Sequence, residues 1–138
     1  MNVKSLATGL AALLTLLVGV FSFATPSWAY IQDDLDMLLE LKDCPVCILT
    51  DANLSGEDFF QVNLKIAELT AADLSNSNLQ EANLMLAELR DADLTQANLI
   101  GASMNGARLQ GANLSGADLS GAVLTQANID GANFQGAN

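Results

Sequence analysis

The stretch GANLSGADLSGAVLTQANIDGANFQGAN, residues 111–138, carries a large apolar residue at every fifth position: Leu114, Leu119, Leu124, Ile129 and Phe134. The spacing runs backwards without a break to Leu49. The 18 centres from Leu49 to Phe134 hold 14 Leu, two Phe (Phe59 and Phe134), Met104 and Ile129. Two places before each centre, 14 of 18 residues are Ala; one place before, 12 of 18 are Asn or Asp. The unit is A-(N/D)-L-x-x.

Neither regular element accommodates a period of five. In an α-helix five residues advance about 500°, about 140° past a full turn, so the leucines would scatter around the cylinder. In a straight strand, residues five apart point to opposite faces. A backbone that corners once per unit resolves both problems. Ala and Leu then share the inner side, Asn or Asp between them points out, and the last two residues turn the corner. Each buried centre contributes about 2 kcal/mol of apolar burial. Ala beside Leu suits an interior too narrow for two large side chains.

This run, from Cys47 to Asn138, resembles the pentapeptide-repeat family. The resemblance implies an all-β fold: a right-handed quadrilateral parallel β-helix with four repeats, twenty residues, per coil. At that count the 18 repeats make about 4.5 coils, a rod roughly 22 Å long at about 4.8 Å between strands. Leu64, Leu74, Leu84, Leu94 and Leu114 belong to the expected core ladder.

The first 29 residues have the layout of a secretory signal peptide. Lys4 and the α-amino group precede an uncharged apolar run from Leu6 to Phe23, and Ser27-Trp28-Ala29 offers small residues for cleavage. The run is also just long enough for a retained membrane anchor. Residues 30–46 read as a capping helix, over about 33–42, and its junction with the coil. Ile31, Leu35, Leu38 and Leu39 share its apolar face, with Asp33, Asp34 and Asp36 in its first turns.

Cys44 and Cys47, in DCPVC, fall in inward registers at that junction. A structural disulfide, a redox-active pair and free thiols are the competing readings. Two cysteines with no histidine cannot close a zinc site. A cysteine pair at this location also recurs in exported members of the family.

Departures from the repeat are informative. Glu57 occupies an inward Ala slot, above Ser77, which predicts a hydrogen bond or a local distortion. The second corner residue is Gly at 101, 106, 111, 116, 121, 131 and 136 but mostly not before, which predicts more regular coils towards the C-terminus. Phe60, Ile66, Met85, Leu86 and Ile100 are outward apolar residues on a polar surface and form a candidate protein-docking patch. The ring around Phe134 has no cap in the sequence, and the expectation is a homodimer through that final coil.

Acids number 16, all beyond residue 30, where four bases oppose them, for a net charge of −12. That surface repels nucleic acid and anionic membranes. With no histidine, no nucleophile–base pair and a filled interior, no enzyme, catalytic residue, metal or cofactor is expected. The reading is an exported, non-catalytic interaction or scaffold module of the periplasm or thylakoid lumen, with a protein partner and no membrane contact after cleavage. The alternatives are a DNA mimic binding a topoisomerase, which family resemblance suggests, and thiol–disulfide chemistry at Cys44 and Cys47.

Overall fold

The fold is described from a computed structural model, over residues 27–138. The expected signal segment lies outside the described residues apart from its last three, which open helix α1.

Beyond α1 the chain winds in a strict register of twenty. Fifteen parallel bridges join residue i to residue i+20, from Asp43↔Asn63 to Asn113↔Asn133. They are isolated bridges, one per face, rather than extended strands. The residue that makes each bridge is the one between Ala and Leu.

The amides of one full unit account for the whole architecture. In the unit Ala72-Asp73-Leu74-Ser75-Asn76, Ala72 N donates to Leu69 O across the corner, at 3.1 Å. Asp73 N donates to Ala52 O in the coil above. Leu74 N and Asn76 N donate to Asp93 O and Thr95 O in the coil below. Ser75 N faces none of these and is taken by the Asp73 carboxylate, at 3.0 Å. No donor is left over, as a compact backbone requires.

Each corner needs a left-handed residue at its second position, as in a type II turn. All of them have it. Gly101 to Gly136 adopt φ of 67–72°, and Asp51, Ile66, Ala71, Leu86 and Gln96 adopt 56–63°. The expectation that the glycine-rich C-terminal coils are more regular is therefore not met. The N-terminal corners make the same turn with side chains that pay about 1–2 kcal/mol for it. Burial of the next leucine outweighs that cost. Glycine has a second role at Gly106, where a Cβ would collide with the Leu86 side chain stacked above it.

The interior matches the inward assignment. Leu64, Leu74, Leu84, Leu94 and Leu114 are fully buried, as are Cys44, Met104 and Leu109. Burial thins in the last coil, where Leu119, Leu124 and Phe134 are half-buried and Ile129 is 47% exposed.

Of two local expectations, one is met as a distortion and one is corrected. Glu57 is exposed. Its carboxylate keeps its water instead of turning inward, and the corner bond that Ala52 N and Val62 N make has no counterpart at Glu57 N, the expected local distortion, while Asn78 N→Glu57 O still holds the register. Ser77, the buried neighbour below, donates its hydroxyl to Leu74 O at 2.7 Å and asks nothing of Glu57. The helix is also longer than expected. Helix α1 spans Ser27–Leu41, so Asp33, Asp34 and Asp36 sit in its middle and not at its dipole end. It stops because Lys42 takes φ 52° and closes Lys42 N→Leu38 O, a left-handed cap made without glycine.

Two outcomes follow. Leu84→Asp strands a carboxylate in the filled column and unfolds the rod; an unchanged circular dichroism spectrum and melting curve would contradict the inward column. Ile66→Asn replaces a β-branched residue at φ 63° with one that tolerates that region, and raises stability by about 1 kcal/mol in a denaturant titration.

Candidate functional site

Three surfaces carry the molecule's candidate chemistry: the junction of α1 with the first coil, the apolar corner, and the Asn/Asp faces.

At the junction Cys44 and Cys47 are joined by a disulfide with Cα atoms 5.5 Å apart. Both are buried, at 0% and 2% exposure. Helix α1 lies over the bond. Leu38 is fully buried in the core, and Leu35 and Leu39 pack against it. The Asp34 carbonyl oxygen sits 3.4 Å from Cys44 Sγ, a packing contact because a disulfide sulfur carries no proton. The Asp34 carboxylate accepts from Ile48 N at 2.7 Å. Ile48 is the bridging residue of the first coil, and its amide would otherwise donate to a coil above. The side chain of Asp34 supplies the acceptor that this missing coil does not. A charge-assisted bond of this kind is stronger than a neutral one. Sequence reasoning placed Asp34 in the helix but gave it no partner, since nothing local relates residues 34 and 48. Thiol exchange needs a reachable sulfur, and the docked state offers none.

The apolar patch divides in two. Ile66 and Leu86 stack at one corner, 43% and 50% exposed, and Val46 extends the column upward at 63%. All three are left-handed, at φ 63°, 58° and 66°. Met85, half-buried, adjoins Leu86. Phe60, 40% exposed, and half-buried Ile100 lie on the preceding corner with Gln80 between them, so they do not stack on each other. Val46 escaped sequence reasoning because it precedes the first leucine centre; extending the register one unit to Cys44 would have found it.

On the faces, all twelve Asn and Asp residues that precede a centre accept the amide two residues on. Examples are Asn53 from Ser55 N at 3.2 Å, Asn98 from Ile100 N at 3.2 Å and Asn133 from Gln135 N at 3.0 Å. Their amide groups also link coils, as in Asn78 Nδ2→Asp58 Oδ1 at 2.8 Å and Asn98 Nδ2→Asn78 Oδ1 at 3.1 Å. Charge is unevenly placed. Arg108 and Arg90 close on Glu88 at 2.8 Å and 3.6 Å, and Lys42 reaches Asp58 at 3.4 Å. Hydrogen bonds lower three carboxyls below the ordinary 3.8. The Asn78 side chain does so first at Asp58, followed by the Phe60 amide and Lys42; Ser75 does so at Asp73, and Ser120 at Asp118.

A twenty-residue register, four corners per coil and a leucine column define a repeat protein built on five-residue units. The family model for pentapeptide repeats matches residues 67–106 and 102–138. The chain belongs to the pentapeptide-repeat family, whose solved members imply a right-handed quadrilateral β-helix.

Three solved structures are similar. Rfr23, from the cyanobacterium Cyanothece 51142, is 31% identical over 78% of this chain and 94% of its own, with TM-score 0.49. HetL, involved in heterocyst differentiation regulation in Nostoc sp. strain PCC 7120, is 36% identical over 69% of this chain and 48% of its own, with TM-score 0.55. A protein from the Arabidopsis thaliana thylakoid lumen is 30% identical over 68% of this chain and 62% of its own, with TM-score 0.54. The chain thus matches about half of HetL and less than two thirds of the lumenal protein. No curated protein sequence matches it. Among the described residues, no helix is long and apolar enough to cross a membrane.

The three perturbed carboxylates set a pH dependence. A carboxyl whose folded pKa is lowered stabilises the fold above its unfolded pKa, and that contribution is lost as pH falls through the folded value. Replacing Asp58, Asp73 and Asp118 together by Asn keeps each turn's acceptor but removes the titration. The triple variant loses less melting temperature than wild type between about pH 5 and pH 2. Parallel acid profiles would contradict this.

Proposed function

We propose that this chain is a non-catalytic docking module acting outside the cytoplasm, in a periplasm or thylakoid lumen. Its rod, residues 47–138 in about 4.5 coils, presents one apolar corner to a protein partner. The observation that carries the reading is the column Val46–Ile66–Leu86. Its residues are exposed, stacked in register and left-handed, and two of them are β-branched. Large apolar groups are disfavoured at such positions twice over, by backbone strain and by contact with water. A covering partner would remove the second penalty. The flanks are polar but not uniformly acidic, with Lys65 beside Ile66 and the Glu88–Arg108 pair below, which suits a protein surface. A duplex mimic would need an unbroken anionic face there instead.

Export is supported by the layout of residues 1–29, by a disulfide of the kind oxidising compartments maintain, and by similarity to a lumenal protein. The expected role is positional, since the interior is filled by side chains and no cleft is needed for the proposed task.

Affinity capture from the native compartment tests the reading. Leu86→Asp changes only an exposed corner, leaves the melting curve close to wild type, and abolishes capture of the specific partner. Identical partner sets for wild type and variant would dismiss the corner as the docking surface. Recovery of the mature chain in the cytoplasm would dismiss export.

A further inference from the structure

The disulfide and the helix above it form a device that the docking reading does not use. Four contacts hold α1 down: buried Leu38, flanking Leu35 and Leu39, and the Asp34 carboxylate on Ile48 N at 2.7 Å. The same turn of α1 puts the Asp34 carbonyl 3.4 Å from Cys44 Sγ. Both sulfur-bearing residues are buried, at 0% and 2%. Below them the coil is closed by Cys44 N→Asn63 O and Glu68 N→Cys47 O, each at 2.8 Å. The rod side is thus tied by main-chain bonds, whereas α1 is tied to the coil by side chains: the Asp34 carboxylate, Leu38 and the flanking Leu35 and Leu39.

We propose that helix α1 is a gate for the Cys44–Cys47 disulfide: a dithiol reductant reaches the bond only when α1 lifts from the first coil. The exchange itself is ordinary. A thiolate of the dithiol attacks one cysteine sulfur from behind the S–S bond and expels the other as a thiolate. The second thiolate of the dithiol then attacks the mixed disulfide. Both cysteines end as thiols, the dithiol ends as its own disulfide, and two electrons and two protons have passed to the protein. With Cys44 and Cys47 at 0% and 2% exposure and the Asp34 carbonyl 3.4 Å from Cys44 Sγ, α1 is the element whose departure would open a path to the sulfur. Opening of the gate is local, because the rod's own hydrogen bonds are untouched when α1 swings away. Any partner that pulls α1 off the coil therefore makes the bond reducible, and the bond's state records that event.

The test is the rate at which dithiothreitol reduces the full chain under native conditions, read by alkylating the freed thiols and weighing the protein. Leu38→Ala and Asp34→Ala each remove one tether of α1 and speed reduction by about tenfold or more. Glu40→Ala, on the exposed side of α1, leaves the rate unchanged. Leu114→Ala weakens the rod far from the gate and also leaves it unchanged. Asp34→Asn, which keeps an acceptor for Ile48 N, gives an intermediate rate and serves if Leu38→Ala fails to fold by circular dichroism. Equal acceleration by Leu114→Ala and Leu38→Ala would overturn the proposal, because the route would then be global unfolding. A wild-type rate equal to that of the denaturant-unfolded chain would also overturn it, because nothing would then shield the bond. Docking at the Val46–Ile66–Leu86 corner is read by a different assay and is unaffected by either outcome.

Discussion

A leucine must return to the same axis every five residues, and the backbone has one way to do it: a left-handed residue at every corner. That constraint explains why corner identity hardly changes corner geometry. Gly121 turns at φ 71° and Ala71 at 56°, with Ile66 at 63° between them. Single residues resist this conformation by about 1–2 kcal/mol. A buried leucine contributes a comparable amount, and each corner is held by the leucines of its own coil and by hydrogen bonds to the coils on either side. Local preference loses at Ile66 and Val46 because stacking enforces the same turn repeatedly. The glycines beyond residue 100 relieve a cost that the N-terminal half bears.

The Asn/Asp position answers a second constraint, that every amide must have a destination. Of the five amides per unit, one closes the corner, one reaches up and two reach down. The fifth has only the side chain two residues earlier. Asn and Asp have the reach to accept it, and Asn has an amide left to join the coil above, as at Asn83 Nδ2→Asn63 Oδ1, 3.2 Å. Where Glu88 and Arg108 stand there, the side chains bond each other instead. The Glu88–Arg108 pair crosses the same gap between coils with charge, at 2.8 Å.

The period and the identity of the buried residues were legible in the sequence because both depend only on spacing. Leu64, Leu74, Leu84, Leu94 and Leu114 needed no tertiary information beyond the rule of five. The start of α1 was not legible. The acids at 33, 34 and 36 look like a helix N-terminus, yet the helix runs from Ser27 and one of those acids serves another element. The Asp34–Ile48 contact joins residues fourteen apart through a docking geometry that no periodicity encodes. Glu57 was legible in part, as a local distortion whose direction the sequence leaves open. Its register points inward, but the energetic cost of a buried carboxylate overrides register where the coil can release the side chain to water.

The most direct test uses methyl resonances of leucine in the presence of a soluble paramagnetic probe. Leu84 and Leu86 are two residues apart, one at 0% exposure and the other at 50%. The corner geometry places Leu84 on the axis and Leu86 in water. It predicts strong relaxation of the Leu86 methyls and none at Leu84, with the same silence at Leu64, Leu74, Leu94 and Leu114. Relaxation at Leu84 equal to that at Leu86, or silence at both, would contradict the claim that the chain turns once per unit around a single apolar column.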